Sequence, residues 1–327
     1  MQTTTGFLMT GAMLALSVLL SLAAPHPASV AESADNWNVR GHVPVEKFII
    51  QSHRGAGELA PENTLEAFEL GWKLGTVPES DLRTTKDGVI VAFHDSTFER
   101  TVKNPPEALK KKGVQDITYA ELLKLDVGGW KGEAFTGRKV SRISDVFKIM
   151  RGKPQRLLYL DIKNVDLAQL AQEVRENAVA GQVIFTSPKY AMIRDFKKLV
   201  PEAQTLNWMG GTEAELRKRL EEVRAADFAG LTQLQLHVRP NPDKTSAEPF
   251  NLSRQFIRDT GTELRKHGVI LQSLPWGADQ AEVYWQLMDL GVMAFATDHP
   301  EVVVKAVRDY YAQKPSVPPD ANGTTHP

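Results

Sequence analysis

The stretch that decides the fold is IIQSHRGAGELAPENTLEAFELG, residues 49–71. It opens with a short apolar run typical of a buried β-strand, and that strand ends in His53 and Arg54. Behind them, Leu65 and Phe68 recur at the spacing of one face of an α-helix. The stretch therefore predicts a strand–helix unit that carries charged side chains at the carboxyl end of its strand.

Strand–helix units of this kind repeat over residues 47–312. Eight of them can be counted, and a hairpin with a less regular stretch, about residues 95–155, is inserted after the second strand. The strands are apolar nearly throughout, as expected of parallel strands that are covered on both faces. The count predicts a (β/α)8 TIM barrel with a small insertion after the second strand. A doubly wound open sheet is the alternative, because the sequence alone does not show whether the sheet closes into a barrel.

The composition limits the partners of the chain. The 327 residues carry a formal net charge of -1, so no general field attracts nucleic acid or anionic lipid. We therefore expect a small-molecule partner held by a local site, no nucleic-acid partner and at most peripheral membrane contact, while the oligomeric state stays open. The chain has no cysteine, which excludes disulfides, thiolate catalysis and cysteine-ligated zinc.

The two ends of the chain differ in character from the repeating part. Residues 7–24 are mostly apolar, and the Ser-Val-Ala of residues 29–31 has the small-x-small form of a cleavage site. We predict that residues 1–31 are a signal peptide, so that the mature protein is secreted or periplasmic. A retained membrane anchor is the alternative, because no Lys or Arg precedes the apolar run. We further predict a polar lead-in over residues 32–46 and a disordered tail over residues 313–327.

Polar exceptions gather at the carboxyl ends of the predicted strands. In a barrel these ends share one face, which is where active sites of this architecture lie. Two carboxylates that are two residues apart on a strand point to the same side, and they repel each other unless a cation lies between them. The residues concerned are His53, Arg54, Glu79, Asp81, His94, Asp95, Asp161, Lys163 and Asp298.

Asp161 and Lys163 are also two residues apart, but they carry opposite charges. Asp161 would complete an oxygen shell around a cation shared with Glu79 and Asp81, and Lys163 would meet an anion. A structural ion pair is the alternative. Together with two histidines and an arginine, this set suits phosphodiester cleavage. Cations neutralise the phosphoryl oxygens, while one imidazole accepts a proton and the other donates one to the leaving oxygen.

The order of these motifs resembles the glycerophosphodiester phosphodiesterase family. The motifs are HRG…PENTLEAF, ESDLRTTKDGVIVAFHD, LDIK and TDHP, and the resemblance covers nearly all of residues 48–305. It implies a (β/α)8 barrel and a divalent cation, calcium or magnesium. The roles that it implies are His53 and His94 as the catalytic pair, Arg54 and Lys163 as phosphate contacts, and Glu79, Asp81 and Asp161 as metal ligands.

Two departures from the family pattern bear on the predicted metal site. The third carboxylate is commonly Glu in an E-x-K motif. Asp161 is one methylene shorter, so the cation would shift toward the strand, bind through water or bind more weakly. Pro78, directly before Glu79, removes a ladder donor and predicts a bulge or a sheet edge there.

We expect an exported, metal-dependent phosphodiesterase that hydrolyses glycerophosphodiesters to glycerol phosphate and an alcohol. Two alternatives stay open. A sphingomyelinase D-like phospholipase or lyase would use the same barrel, with Trp130, Phe135 and Trp276 as candidates for an apolar lipid-docking rim. A noncatalytic phosphodiester-binding barrel would explain Pro78 and Asp161 as signs of decay.

The two histidines differ in their chain neighbours. Asp95 follows His94 and could hold its imidazole in one tautomer or raise its pKa. This neighbour predicts His94 as the general acid and His53 as the general base.

Six further residues are candidates for supporting roles. Glu62 and Asn63 of the PENT motif could fix the loop that follows the first strand. The candidates for the pocket that binds the headgroup alcohol are Trp208, Gln233, Gln235 and His237, with ordinary filling of the barrel as the alternative.

Overall fold

A closed β-sheet forms the centre of the structure. The computed structural model describes residues 37–243 and 245–313, together with Met1. The strands in this part of the chain are β1 (Ile49–Ser52), β2 (Val77–Thr84), β3 (Ile90–Ala92), β4 (Leu158–Asn164), β5 (Val183–Ser187), β6 (Gln204–Met209), β7 (Gln233–Val238), β8 (Ile270–Pro275) and β9 (Ala294–Thr297). Their order in the sheet is β1-β9-β8-β7-β6-β5-β4-β2-β3, and β1 also pairs with β2. All of these pairings are parallel except that of β2 with β3, so eight strands close into a barrel and β3 is an addition to β2.

Helices alternate with the barrel strands. Those of the described residues are α1 (Leu65–Lys73), α2 (Glu107–Lys110), α3 (Tyr119–Leu122), α4 (Ile143–Met150), α5 (Leu167–Glu176), α6 (Tyr190–Leu199), α7 (Glu213–Ala225), α8 (Arg254–Lys266), α9 (Ala281–Asp289) and α10 (Pro300–Ala312). Helix α1 begins after Thr64 of the PENT motif, whose hydroxyl accepts a hydrogen bond from the Ala67 amide. The alternation and the closure confirm the predicted (β/α)8 barrel and exclude the open sheet.

Apolar side chains fill the layer between the strands and the helices. Strand β5 is buried along its whole length. Its Phe185 stacks on Phe196 of α6, with 4.1 Å between the ring centroids. Full burial of a large apolar side chain contributes about 1.5–3 kcal/mol to folding. This layer therefore gives the strand ends a rigid base.

A hydrogen-bonded polar layer lies inside the barrel. The Tyr159 hydroxyl donates to Gln233 Oε1 (2.7 Å), and Gln272 Nε2 donates to the Tyr159 hydroxyl (3.1 Å). Gln235 Nε2 donates to Gln51 Oε1 (3.3 Å) and to Gln272 Oε1. All five side chains are buried. Because buried polar groups that pair with one another favour a single arrangement, this layer fixes the strands from which the site projects.

The insertion after the second strand has a small core of its own. Within residues 95–155, α2 and α3 are single-turn helices, whereas α4 packs into the main core of the barrel. Phe93 and Phe98 meet edge to face, with ring centroids 5.6 Å apart. The apolar side chains of the small core are Val91, Phe93, Phe98, Val102, Val114, Ile117, Leu122, Leu125, Val127 and Val140. This core ties the insertion to β3.

Residues 37–46, which belong to the predicted lead-in, pack against α10. Asn38 Nδ2 donates to the Tyr310 hydroxyl (2.9 Å), and Val39 is fully buried. Apolar as well as polar contacts therefore hold this segment on the barrel.

The predicted leader, residues 1–31, lies outside the described residues apart from Met1. The predicted tail, residues 313–327, lies outside them apart from Gln313. Among the helices that the structure describes, none is long and apolar enough to cross a membrane.

Candidate active site

The carboxyl ends of the strands surround a cavity of about 140 Å³. Six of the seven predicted site residues contribute to its walls, and the seventh, Asp81, is fully buried. The six are His53, Arg54, Glu79, His94, Asp161 and Lys163. Residues from four different strand ends therefore meet at one place.

The chain turns sharply between β1 and α1. Arg54 has a φ of 54° and Gly55 one of 112°, both in the left-handed region. A Cβ atom on Gly55 would lie 2.6 Å from the Cβ of Ala67 in α1, so only glycine fits there. The HRG motif thus packs the end of β1 against α1. The turn also lets the Arg54 amide donate a hydrogen bond to Glu79 Oε2 (3.2 Å).

His53 lies between two carboxylates. Its Nδ1 is hydrogen-bonded to Asp298 Oδ1 (2.6 Å), and its Nε2 lies 3.8 Å from Glu79 Oε2. Burial of the ring opposes the charged form, but Glu79 and Asp298 outweigh it and raise the pKa of His53 to about 9. While no cation is held by Glu79, this arrangement favours the protonated imidazole of His53 at neutral pH.

His94 also has a carboxylate at its Nδ1, but its pKa is shifted in the opposite direction to that of His53. Its Nδ1 is hydrogen-bonded to Asp95 Oδ1 (2.7 Å). Burial lowers the pKa of His94, and the attraction of Asp81 offsets only part of that effect. Because each imidazole has a carboxylate at Nδ1, Asp95 alone does not distinguish the two rings, and the assignment of acid and base stays a prediction. The surrounding charges favour His53 as the proton donor.

Three buried carboxylates could hold a cation. Each of Glu79, Asp81 and Asp161 offers an oxygen within 4.8 Å of those of the other two. Burial raises the pKa of Glu79, burial also raises the pKa of Asp161 to about 6, and repulsion between the carboxylates adds to both shifts. Asp81 Oδ1 accepts no hydrogen bond of ordinary geometry from the described residues, and its neighbour there is the ammonium of Lys163, at 3.0 Å. A set of buried carboxylate oxygens that repel one another fits a hard divalent cation.

Strand register explains how the shorter Asp161 reaches this group. Asp81 and Asp161 are directly paired residues on the neighbouring strands β2 and β4. Lys163 Nζ lies 3.0 Å from Asp81 Oδ1 and 2.7 Å from Asp161 Oδ2. Burial opposes the charge on the ammonium, but these carboxylates outweigh it and raise the pKa of Lys163. The change from Glu to Asp therefore does not remove Asp161 from the carboxylate group.

Asn63 holds Asp81 in place through both ends of its amide. Its Oδ1 accepts from the Asp81 amide (2.9 Å), and its Nδ2 donates to Asp81 Oδ2 (2.8 Å). The pairing of β2 with β1 stops at Pro78, and its pairing with β3 starts at Leu82, so Asn63 fills the gap between them. The irregularity expected beside Pro78 lies instead between Leu82 and Arg83, in the pairing with β4.

Arg54 keeps part of its guanidinium for a ligand. Its Nη1 donates to both oxygens of Glu62 (3.1 and 3.2 Å). Its buried Nε faces Asp81 Oδ2 at 3.8 Å, and its Nη2 makes no hydrogen bond within the described residues. A guanidinium with unused donors at the wall of a cavity is suited to a phosphoryl oxygen.

Aromatic rings form the rest of the wall. Trp208 stacks on His237, with 5.0 Å between ring centroids, and donates from Nε1 to Asp161 Oδ1 (3.4 Å). Trp276 meets His53 and His237 edge to face, at 5.6 and 5.7 Å. Burial and the charge of His53 lower the pKa of His237 to about 4, so His237 is neutral. These rings give the cavity an apolar side.

Arg100 is a residue of the site that strand-end spacing does not find. It lies in the insertion, and it contacts Asp95 and Glu62 through four hydrogen bonds of 2.7–2.8 Å. In the sequence, the position of Arg100 shortly after Asp95 is the one feature that could have indicated its role. Asp298 does stand at a strand end, but its contact with His53 depends on closure of the barrel.

Comparisons with known proteins agree with this geometry. The model of the glycerophosphoryl diester phosphodiesterase family matches residues 53–302. A glycerophosphodiester phosphodiesterase of Caldanaerobacter subterraneus is 28% identical over 269 residues, which cover 80% of this chain and 98% of that one. Among solved structures, a glycerophosphodiester phosphodiesterase of Agrobacterium tumefaciens has a TM-score of 0.60 at 24% identity, covering 79% of this chain and 99% of its own. An Oleispira antarctica phosphodiesterase, solved in complex with the product sn-glycerol-3-phosphate, has a TM-score of 0.57 at 21% identity and covers 83% and 99%.

The family match begins at the end of β1 and extends into α10. It includes both histidines, the three carboxylates and the two cationic residues of the cavity. The two solved structures, at this level of identity, show that the fold is shared. The chain thus belongs to the glycerophosphoryl diester phosphodiesterase family and is an enzyme that hydrolyses phosphoric diesters.

Proposed function

We propose that the protein is an exported, divalent-metal-dependent enzyme that hydrolyses glycerophosphodiesters to glycerol phosphate and an alcohol. The observation that carries this proposal is the set of groups around one cavity. Two imidazoles, each with a carboxylate at Nδ1, lie beside three clustered carboxylates and two cationic side chains. The product named for the Oleispira antarctica phosphodiesterase, sn-glycerol-3-phosphate, supports this choice of substrate class.

The residues of the cavity would divide the reaction between them. Arg54 and Lys163 contact the non-bridging phosphoryl oxygens and offset their charge. One imidazole takes the proton of the attacking oxygen as its bond to phosphorus forms, and the other protonates the alcohol oxygen as its bond to phosphorus breaks. The attacking oxygen belongs either to water or to a substrate hydroxyl, in which case water opens the resulting cyclic phosphate. A calcium or magnesium ion held by Glu79, Asp81 and Asp161 would supply further neutralisation of the phosphoryl group.

The two alternatives have less support. The lyase reading needs an apolar docking rim, but Trp276, one of its candidates, packs between His53 and His237 in the cavity wall. The noncatalytic reading treats Asp161 as a sign of decay, whereas its carboxylate lies within the cluster of three.

The test is a chelator-sensitive assay with three substrates. Glycerophosphocholine and glycerophosphoethanolamine are expected to release glycerol phosphate, and lysophosphatidylcholine is expected to be a poor substrate. EDTA should stop the reaction, and calcium or magnesium should restore it. Turnover of the lysolipid without turnover of the deacylated diesters would favour the lyase. No turnover of any of them would overturn the proposed function.

The proposal of export rests on the sequence of residues 1–31. The apolar run and the Ser-Val-Ala before Glu32 are its support. The mature protein would act in the periplasm or outside the cell.

A further inference from the structure

We propose that Arg100 is a positioning residue of this active site, which clamps Asp95 and Glu62 and through them orients His94 and Arg54. This inference rests on the proposed function, because it gives Arg100 a role in orienting residues that carry out that reaction. Arg100 belongs to the insertion and to none of the barrel strands.

The clamp uses both edges of the guanidinium. Nε and Nη2 of Arg100 donate to the two oxygens of Asp95, each at 2.7 Å. Nη1 and Nη2 donate to the two oxygens of Glu62, at 2.7 and 2.8 Å. Only the planar fork of arginine can bind two carboxylates in this bidentate manner, and a lysine ammonium cannot reproduce it.

Each clamped carboxylate holds a residue of the cavity. Asp95 Oδ1 is 2.7 Å from His94 Nδ1, and Glu62 Oε2 is 3.1 Å from Arg54 Nη1. The result is a continuous chain of charge-assisted hydrogen bonds from one histidine to the arginine expected to contact phosphate. The insertion therefore reaches the reacting groups through Arg100.

The donor count favours positioning over direct substrate contact. A guanidinium has five N–H groups, and Arg100 commits four of them to Asp95 and Glu62. Arg54, by contrast, uses only Nη1 for Glu62, and its Nη2 makes no hydrogen bond among the described residues. Of the two arginines, Arg54 is thus the one with donors to spare for a phosphoryl group.

Removal of Arg100 would leave a repulsive pair behind. Glu62 and Asp95 offer oxygens that lie within 4.8 Å of each other and of a nitrogen of His94. Without the guanidinium, the two carboxylates would move apart, and the imidazole and Arg54 would move with them. The side chain of Arg100 is 43% exposed, so the ion pairs themselves add little to stability. Activity, and not stability, is therefore the quantity that should respond.

The experiment compares Arg100→Ala and Arg100→Lys with Arg138→Ala. Arg138 is the matched control, because it lies in the same insertion and pairs with Glu66 (2.8 Å), and neither side chain lines the cavity. For Arg100→Ala we expect kcat to fall by about 10–100-fold, since a small misplacement of reacting groups has that effect. KM should stay within about threefold of its wild-type value, because the loss falls on orientation and not on uniform binding. Arg100→Lys should be intermediate, added guanidinium ion should restore part of the lost kcat of Arg100→Ala, and Arg138→Ala should match the wild type.

Two further readouts separate positioning from other roles. The double variant Arg100→Ala/Asp95→Asn should be no slower than the slower single variant, because both changes break one chain of contacts. The His94 Nδ1–H proton, observed by NMR, should exchange faster in Arg100→Ala than in the wild type. This measurement needs no turnover, so it tests the clamp even if the proposed function fails.

Three outcomes would overturn the proposal. A raised KM with unchanged kcat would make Arg100 a substrate contact, and unchanged kinetics would make it a surface ion pair. A loss of kcat that accompanies a lower unfolding temperature, without rescue by guanidinium, would make its role structural.

Discussion

Asp298 at the end of β9 is hydrogen-bonded to His53 at the end of β1, with 2.6 Å between Oδ1 and Nδ1. The two strands are neighbours in the closed sheet, although 245 residues separate the two side chains along the chain. The last strand of the barrel therefore orients an imidazole carried by the first. It leaves the opposite ring nitrogen directed toward Glu79.

The pairing of His53 makes the stability of the protein depend on pH. In EDTA, we expect the free energy of unfolding of the wild type to exceed that of His53→Gln by a pH-dependent amount. The pKa of His53 is raised to about 9 in the folded state, so this contribution is complete below about pH 6.5 and is lost as the pH rises through about 9. Its size is at most about 3 kcal/mol. Urea unfolding of both proteins between pH 6 and pH 10 measures it, and a difference that grows with rising pH would contradict the assignment.

The roles of the two histidines can be separated by the leaving group. We expect His53 to be the proton donor. Its Nδ1 is hydrogen-bonded to Asp298 and its Nε2 faces Glu79, and these carboxylates stabilise the charged imidazole. His53→Ala should then lose about 100-fold or more on glycerophosphocholine, and far less on an aryl phosphodiester whose phenolate leaves without a proton. His94→Ala should lose similar factors on both substrates. Equal losses in all four measurements would show that the two roles are shared.

The carboxylate cluster predicts a strong effect of Asp81→Asn. Removal of one charge from the group of three should lower turnover by about 100-fold or more and raise the cation concentration needed for activity. Circular dichroism should show that the fold survives. Asp195→Asn is the control, because among the residues that the structure describes Asp195 forms an ion pair only with Lys198, and both side chains are exposed. Full wild-type activity in excess chelator would refute the metal site.

Asn63→Ala should affect both stability and the cluster. It removes the partners of the Asp81 amide and of Asp81 Oδ2 in a buried position, which costs about 1–3 kcal/mol of unfolding free energy. The variant should also need more calcium or magnesium for half-maximal activity. Urea denaturation and cation titration measure the two effects. Asn251→Ala is the control, because exposed Asn251 likewise accepts from a backbone amide, that of Arg239 (2.7 Å), but does not line the cavity. Wild-type values for both would show that the backbone alone holds Asp81.

Export can be tested by identifying the first residue of the protein isolated from its natural source. If the Ser-Val-Ala of residues 29–31 is a cleavage site, the mature protein begins at Glu32 and is recovered without detergent. Mass analysis of protein from the periplasm and the medium decides this. A membrane-bound product that begins at Met1 would support the anchor.

The alternation of apolar strands and amphipathic helices was sufficient to predict the barrel, because each unit buries its own faces in a local and periodic way. The same pattern placed the polar residues at strand ends, and all parallel strand ends lie on one face of a barrel. The sequence by itself therefore determined the fold class and the six predicted site residues that line the cavity. The spacing of Glu79 and Asp81 was enough to put two carboxylates side by side on β2.

The tertiary structure alone decided which partners these residues have. Asp298 reaches His53 only after the barrel closes, and Arg100 reaches Glu62, 38 residues earlier, only because the insertion packs on β3. Such contacts join side chains whose positions depend on the whole packed barrel. The local periodicity of the sequence therefore does not predict them. Because the pKa of His53 depends on those partners, any assignment of acid and base to the two histidines depends on the folded protein.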